Sequence, residues 1–142
     1  MDSRILLHDF TYLAPTTLDE ALQILAEKQS VKILAGGTDL IIRMKLGTIG
    51  GADYVMDIKH INELNYAHLC GKEQCDQGAP IGAFCIGATA TLNQIAKNED
   101  LGRLFPAQRD AIFAMAATSV RNLGTMAGNI CNASPVADSV IP

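Results

Sequence analysis

The stretch Val31-Lys32-Ile33-Leu34-Ala35-Gly36-Gly37-Thr38-Asp39-Leu40-Ile41-Ile42-Arg43-Met44-Lys45 decides the fold class. Its first five residues are a short β-prone run that stops at two glycines. From Asp39 to Lys45 the residues suit a helix, closed near Gly47. Upstream, Thr17 reads as an N-cap, and Glu20 three residues on completes a capping box. Leu18, Ala21, Leu22 and Leu25 recur at helical spacing, so residues 17–28 are predicted to be an amphipathic helix packed on a core. Helix, strand, glycine turn, helix is an α/β (α+β) order that favours a small parallel sheet.

Working outward, Phe10-Thr11-Tyr12 is a short extended segment ended by Pro15. Tyr54-Val55-Met56-Asp57-Ile58 is a third strand, followed by a turn around Asn62. Residues 65–70 and 81–87 flank a loop holding Gly71, Gly78 and Pro80, which predicts a hairpin or a strand pair with a loose tip. Thr91 is placed to cap a short helix through Leu92, Ile95 and Ala96. Pro106 suits the first turn of a helix over 106–117. That helix is predicted to be buried, because Ala111 to Ala117 is apolar on every side. From Ser119 to Asp138 the chain turns polar and glycine-punctuated. An irregular stretch of that length inside a compact domain is usually functional. The expected organisation is an N-terminal α/β lobe over 1–60 and the start of a second α/β lobe over 61–142. The abrupt end at Val140-Ile141-Pro142 leaves that second lobe incomplete.

Hydrophobic residues make up 49% of the 142-residue chain and charged residues 18%, which is globular rather than disordered. The formal charge of −4 argues against nucleic acid or an anionic membrane as partner. No apolar run reaches the length of a membrane span and no signal-peptide core follows Met1, so the expected location is the cytoplasm. The four cysteines, Cys70, Cys75, Cys85 and Cys131, show no C-x-x-C pair and no metal-finger spacing. A surface disulfide between Cys70 and Cys75, or a share in a cluster, is open to them; in a cytosolic chain reduced thiols are the expectation. His8, His60 and His68 lack the i,i+4 pairing of a helical metal site, so no metal site is assigned.

The glycine turn is the first candidate site. Glycines let the backbone approach a ligand closely, and a helix start exposes N–H donors. Together these suit a pyrophosphate, with Thr38 adding a hydroxyl and Asp39 capping the helix. The turn is neither a Rossmann fingerprint nor a Walker A loop, and by itself it names no ligand. The second candidate is the polar segment, where Thr125, Gly128, Asn129, Asn132 and Ser134 offer amides and hydroxyls. Asp138 offers an acceptor for ribityl or ribose hydroxyls. Those side chains also suit stabilisation of their own turns. No Ser-His-Asp arrangement or acid–base carboxylate pair is visible, as is consistent with chemistry carried by a flavin.

Lys32-Ile33-Leu34-Ala35-Gly36-Gly37-Thr38-Asp39-Leu40 and Val120-Arg121-Asn122-Leu123-Gly124-Thr125-Met126-Ala127-Gly128-Asn129-Ile130 resemble the FAD-binding (medium) subunit or domain of the molybdenum hydroxylases, the xanthine dehydrogenase and carbon monoxide dehydrogenase family. So do Phe10-Thr11-Tyr12, Ile86-Gly87-Ala88-Thr89-Ala90-Thr91 and Asn132-Ala133-Ser134-Pro135-Val136-Ala137-Asp138. The resemblance implies a two-lobed fold of the vanillyl-alcohol-oxidase type with FAD extended between the lobes. It implies that Leu34, Ala35, Gly36, Gly37, Thr38 and Asp39 hold the pyrophosphate. Thr125, Gly128, Asn129, Asn132 and Asp138 would face the rest of the cofactor, with Gly124 in the same motif. Partner subunits would carry the molybdenum cofactor and two [2Fe–2S] clusters, whose electrons reach the FAD and then NAD or another acceptor. Ala127 stands where many relatives have glycine, and the Cys70–Gly78 loop is unlike the family's short hairpin. The other readings are a truncated, non-catalytic assembly module and a self-contained flavin oxidoreductase of the same fold.

Overall fold

Thr17 starts the first helix as its sequence requires. Its Oγ1 accepts from the Glu20 N–H at 3.2 Å, and the Glu20 carboxylate accepts from the Thr16 N–H at 2.9 Å. In the computed structural model, which describes residues 8–71, 78–133 and 139, the chain divides into two compact units, Met1–Glu63 and Leu64–Pro142.

The first unit contains strands β1 (Thr11–Leu13), β2 (Val31–Leu34) and β3 (Tyr54–Asp57), with helices α1 (Leu18–Glu27) and α2 (Leu40–Leu46). The three strands form one parallel sheet in the order β1-β3-β2. The middle strand is the most deeply buried of the three: Val55 and Met56 are each 1% exposed. Met44, Ala52 and Val55 form a core cluster, with Phe10, Leu34 and Leu40 packed against it. Gly47 ends α2 in the left-handed conformation that a C-terminal cap of this kind needs, with its N–H on the Arg43 and Met44 carbonyls. The apolar stripe of α1 departs from expectation. Ala21 is buried, but Leu18, Leu22 and Leu25 are exposed. A unit of this size, with a three-stranded sheet, buries too small a fraction of its surface to cover every apolar face.

The second unit contains the antiparallel ribbon of β4 (Ala67–Leu69) and β5 (Phe84–Ile86), matching the predicted hairpin. Gly87 follows β5, and its N–H donates to the Tyr66 carbonyl at 2.8 Å. A Cβ at Gly87 would collide with the Leu64 carbonyl, so the close backbone approach requires glycine. Thr91 caps α3 (Leu92–Ala96), its Oγ1 accepting from the Gln94 N–H. Asn98 caps α4 (Glu99–Leu104), a helix the sequence reading did not foresee, and its amide ties that turn to the Ala67 carbonyl. Ala90, Leu92, Ile95, Leu101 and Ile112 make the core.

Two expectations fail in the last forty residues. Helix α5 spans Pro106–Ala114, not 106–117, and of its residues only Ile112 is buried, with Phe113 40% exposed. It stops early because Met115 turns extended (φ −87°, ψ 142°), and Ala116 follows at positive φ (50°). The described part of the polar segment is also not irregular. It folds into α6 (Thr118–Arg121) and α7 (Met126–Asn132), the latter capped by Thr125. Helix caps made from Thr and Gly look like loop composition until their bonds are placed.

Candidate functional site

In open parallel sheets ligands collect at the carboxyl ends of the strands. That edge of the first unit holds the predicted turn. Leu34 ends β2; Ala35, Gly36, Gly37, Thr38 and Asp39 lead into α2. Gly37 has φ +72°, and a Cβ there would lie 2.8 Å from Leu34 Cδ1. Its glycine is therefore required by the protein's own packing as well as by any ligand. Asp39 occupies the cap position of α2 but makes no side-chain cap bond, contrary to the capping role expected of it. Its backbone is already helical (φ −99°, ψ −48°), which directs the carboxylate away from the N–H groups it would serve. Asp39 is exposed, whereas Ala35, Gly36, Gly37 and Thr38 are half-buried.

A polar network at the same edge was missed by sequence reasoning. Asp57, at the end of β3, is 4% exposed. Its Oδ2 accepts from the Tyr12 hydroxyl at 2.7 Å and pairs with Lys59 Nζ at 2.7 Å. Its Oδ1 accepts from the Lys59 N–H at 2.9 Å, and Lys59 Nζ also donates to the Ala35 carbonyl at 3.2 Å. The cation is thus tied to the glycine turn, while its side chain stays 42% exposed. Burial pushes the Asp57 carboxyl up, but the hydrogen bonds from Lys59 and Tyr12, with the Lys59 charge, outweigh it and hold the group below its usual value. The hydrogen bond to Asp57, followed by partial burial and the carboxylate charge, raises the Tyr12 phenol above its ordinary value. The available signal was Asp57 itself: a carboxylate closing an apolar strand must find partners.

In the second unit the motif residues are engaged with one another. Thr125 is 3% exposed, and its Oγ1 accepts from the Gly128 N–H at 3.0 Å. A Cβ on Gly128 would lie 2.9 Å from that oxygen. The Gly124 carbonyl accepts from the Leu92 N–H at 2.9 Å, and Thr125 bridges to Thr91. Asn129 Nδ2 donates to Ser139 Oγ at 2.8 Å. Asn132 lies on α7, half-buried. Ser134 and Asp138 lie outside the described residues. These turn-stabilising bonds are one of the two roles the residue types allowed.

Arg121 was quoted in the motif without a role. It is 9% exposed and spreads its guanidinium over the end of α5. Nη1 donates to the carbonyls of Met115 (2.8 Å) and Ala116 (2.6 Å), and more weakly to that of Phe113 (3.4 Å). Nε donates to Asn93 Oδ1 at 3.1 Å and Nη2 to Thr118 Oγ1 at 3.1 Å. Asn93 in turn donates to Asn122 Oδ1 and the Thr118 carbonyl. A cation at a helix C-terminus is favourably placed, and the planar fork serves several carbonyls at once.

An open groove of about 570 Å³ lies beside this motif, lined by Phe84, Ile86, Leu104, Phe105 and Met126 with Gln108 at its rim. It offers no charged group and is no phosphate site. Cys70 departs from the reduced thiol expected: it is disulfide-bonded and 3% exposed. Cys75 lies outside the described residues. Among the described residues no helix is long and apolar enough to cross a membrane.

Residues 8–142 match the family model described as the FAD binding domain in molybdopterin dehydrogenase. The nicotinate dehydrogenase FAD-subunit of Eubacterium barkeri is 34% identical over 134 residues, covering 93% of this chain and 42% of that protein. The glyceraldehyde dehydrogenase medium chain of Sulfolobus acidocaldarius is 32% identical over 130 residues, 92% of this chain and 42% of that one. Carbon monoxide dehydrogenase from Hydrogenophaga pseudoflava superimposes with a TM-score of 0.76 at 29% identity, over 89% of this chain and 40% of that chain. The chain therefore spans about two-fifths of the length of the relatives it matches. The order of its two glycine-bearing motifs, its α/β units and the match over residues 8–142 lead to one conclusion: the chain belongs to the FAD-binding domain family of the molybdopterin dehydrogenases.

Proposed function

We propose that this chain binds FAD as the flavin-bearing part of a molybdopterin-dependent dehydrogenase. In that reading partner subunits carry the molybdenum cofactor and the [2Fe–2S] clusters, and the fold is of the two-lobed vanillyl-alcohol-oxidase type. Bound FAD supplies a redox centre that takes electrons from the clusters and passes them to NAD or another acceptor.

The observation that carries the reading is the Ala35–Lys59–Asp57 arrangement at the carboxyl edge of the sheet. A pyrophosphate needs backbone donors free to approach and a compensating cation. The turn from Leu34 to Asp39 offers the first. Lys59, held by Asp57 and the Ala35 carbonyl with one side open to water, offers the second. The donor set fits the group. Thr38 adds a hydroxyl, and Asp39 is exposed to water, which screens its charge. In the second unit Gly124, Thr125, Gly128, Asn129, Asn132 and Asp138 are assigned to the remainder of the cofactor. The bonds of Gly124, Thr125, Gly128 and Asn129 hold the backbone of α7 in the shape it would present to a ligand.

Titration of the chain with FAD, followed by quenching of flavin fluorescence, tests this. Saturation at one equivalent is expected. Lys59→Met should bind roughly tenfold more weakly or worse, the loss of one charge-assisted contact. An unchanged titration in that variant would refute the phosphate role. Failure of the parent chain to bind FAD would refute the reading itself. Co-purification with a molybdenum-cofactor subunit and a [2Fe–2S] subunit checks the assembly.

A further inference from the structure

Three side chains of the β4–β5 ribbon that the flavin reading leaves unused converge on one face. On a strand, residues two apart share a face, and the residue directly opposite on the paired strand joins them. His68 and Cys70 are two apart, and the register sets Cys85 opposite His68. One ligand atom from each, an imidazole nitrogen and two sulfurs, lies within 4.8 Å of the other two. The two sulfurs are 2.8 Å apart.

The backbone fixes this convergence. The Cys70 N–H donates to the Ala83 carbonyl at 2.7 Å, and the Gly82 N–H to the Cys70 carbonyl at 3.0 Å. The Tyr66 ring, on the same face two residues before His68, lies 5.4 Å from the imidazole and limits its swing. Cys70 is buried, Cys85 half-buried and His68 exposed, so the group runs from the interior to the surface.

We propose that, once Cys70 is reduced, His68, Cys70 and Cys85 form a binding site for one thiophilic divalent cation of the Zn²⁺ class. A tetrahedral ion with bonds of about 2.3 Å to sulfur and 2.0–2.1 Å to nitrogen holds its ligand atoms roughly 3.5–3.8 Å apart. The separations found, from 2.8 Å between the sulfurs to at most 4.8 Å across the group, bracket that spacing. Side-chain shifts of about 1 Å convert one arrangement to the other. Two thiolates and an imidazole are soft and borderline ligands, which select zinc over magnesium or calcium. Two thiolates also neutralise the ion, so that the buried Cys70 sulfur carries no uncompensated charge. Three protein ligands leave the fourth position to water on the His68 side.

The balance of the step is simple. A dithiol or phosphine reductant supplies two electrons to the Cys70 disulfide, which takes up two protons to give two thiols. The reductant becomes a disulfide or a phosphine oxide, with water supplying the oxygen in the second case. The cation then displaces the protons of Cys70 and Cys85, and affinity rises with pH.

The test uses the chain reduced with a phosphine under exclusion of oxygen, then passed through a desalting column. Zn²⁺ is added and bound metal is measured by elemental analysis, with Co²⁺ as a spectroscopic substitute. One equivalent is expected, with sulfur-to-cobalt charge-transfer bands. Cys85→Ser and His68→Asn should each lose more than the roughly 10–100-fold in affinity that removal of an outer-sphere partner costs. Cys131→Ser, an exposed thiol on α7, should bind as the parent does. If Cys85→Ser fails to fold by circular dichroism, His68→Asn decides alone, since His68 is exposed. A reduced parent that binds no zinc would overturn the proposal. So would a His68→Asn variant with parental affinity, or a Cys70 disulfide that survives the reductant by mass spectrometry.

Discussion

Replacing Arg121 with Met keeps an unbranched apolar stem and removes the guanidinium with all of its donors. The guanidinium makes two short bonds, to the Met115 and Ala116 carbonyls at 2.8 and 2.6 Å, and further contacts to Asn93, Thr118 and Phe113. A hydrogen bond to a charged group contributes about 1.5–3 kcal/mol net, so the two short bonds carry about 3–6 kcal/mol. Relief of the arginine's own desolvation offsets part of that loss. We expect a net destabilisation of about 3 kcal/mol, seen as a fall in melting temperature of about 10 °C by far-UV circular dichroism. Amide exchange should rise first in α5 and α6, whose junction the side chain closes. Arg121→Lys keeps the charge but not the fork, and should recover less than half of the loss. The alternative is that Arg121 serves the cofactor directly. An Arg121→Met chain as stable as its parent but weaker for FAD would refute the structural role.

The Asp57 carboxyl is held below its usual value, so its contribution to stability is present above about pH 3.9 and is lost as pH falls through the lower folded value. Lys59→Met and Tyr12→Phe should each shrink this acid limb in a pH series of urea midpoints; an unchanged limb would show that Asp57 does not titrate with folding. Tyr12 behaves in the opposite sense. Its raised phenol leaves its contribution intact below about pH 10 and removes it as pH rises through the folded value. Thr125→Ala deletes the cap on the Gly128 N–H and should cost about 1 kcal/mol, while Thr125→Ser retains it. Equal stability of the two variants by thermal melting would contradict the capping role.

Much of the first unit was legible because its signals are local. Thr17 with Glu20, the Val31–Leu34 run and Gly47 each act within a few residues, and the structure places α1, β2 and the end of α2 where they point. The failures share a different cause. The run Ala111–Ala117 looked like a buried helix because composition reports apolarity and not where a helix stops. What ends α5 is an extended Met115 followed by Ala116 at positive φ, with both carbonyls held by the guanidinium of Arg121. The polar segment looked irregular because Thr125 and Gly128 were weighed as ligand groups before being tested as a cap. The histidines were screened for helical i,i+4 spacing, so the i,i+2 pair His68 and Cys70, with Cys85 across the ribbon, escaped notice. Asp57 and Lys59 escaped for a similar reason. Their significance depends on β3 lying between its two neighbours, which is a property of the sheet order and not of any window of residues.

That dependence bears on how the glycine turn is to be understood. A side chain at Gly37 would be strained in any event, since its φ is positive and a Cβ would press on the Leu34 side chain. The glycine is therefore no independent sign of a ligand. The same holds for Gly128, whose missing Cβ makes room for the Thr125 hydroxyl. What the turn's internal packing does not require is a cation beside it. Asp57 Oδ2 accepts from Tyr12 and pairs with the Lys59 ammonium, but its strand geometry does not dictate that this cation also reach the Ala35 carbonyl. Lys59 does both while keeping one side in water, at a partial cost in side-chain freedom. A lysine spent only on neutralising Asp57 would gain nothing from that second tether. Placing the ammonium over the turn has a use when an anion is to sit there, which is why Lys59, and not the glycines, is the residue that points to a ligand.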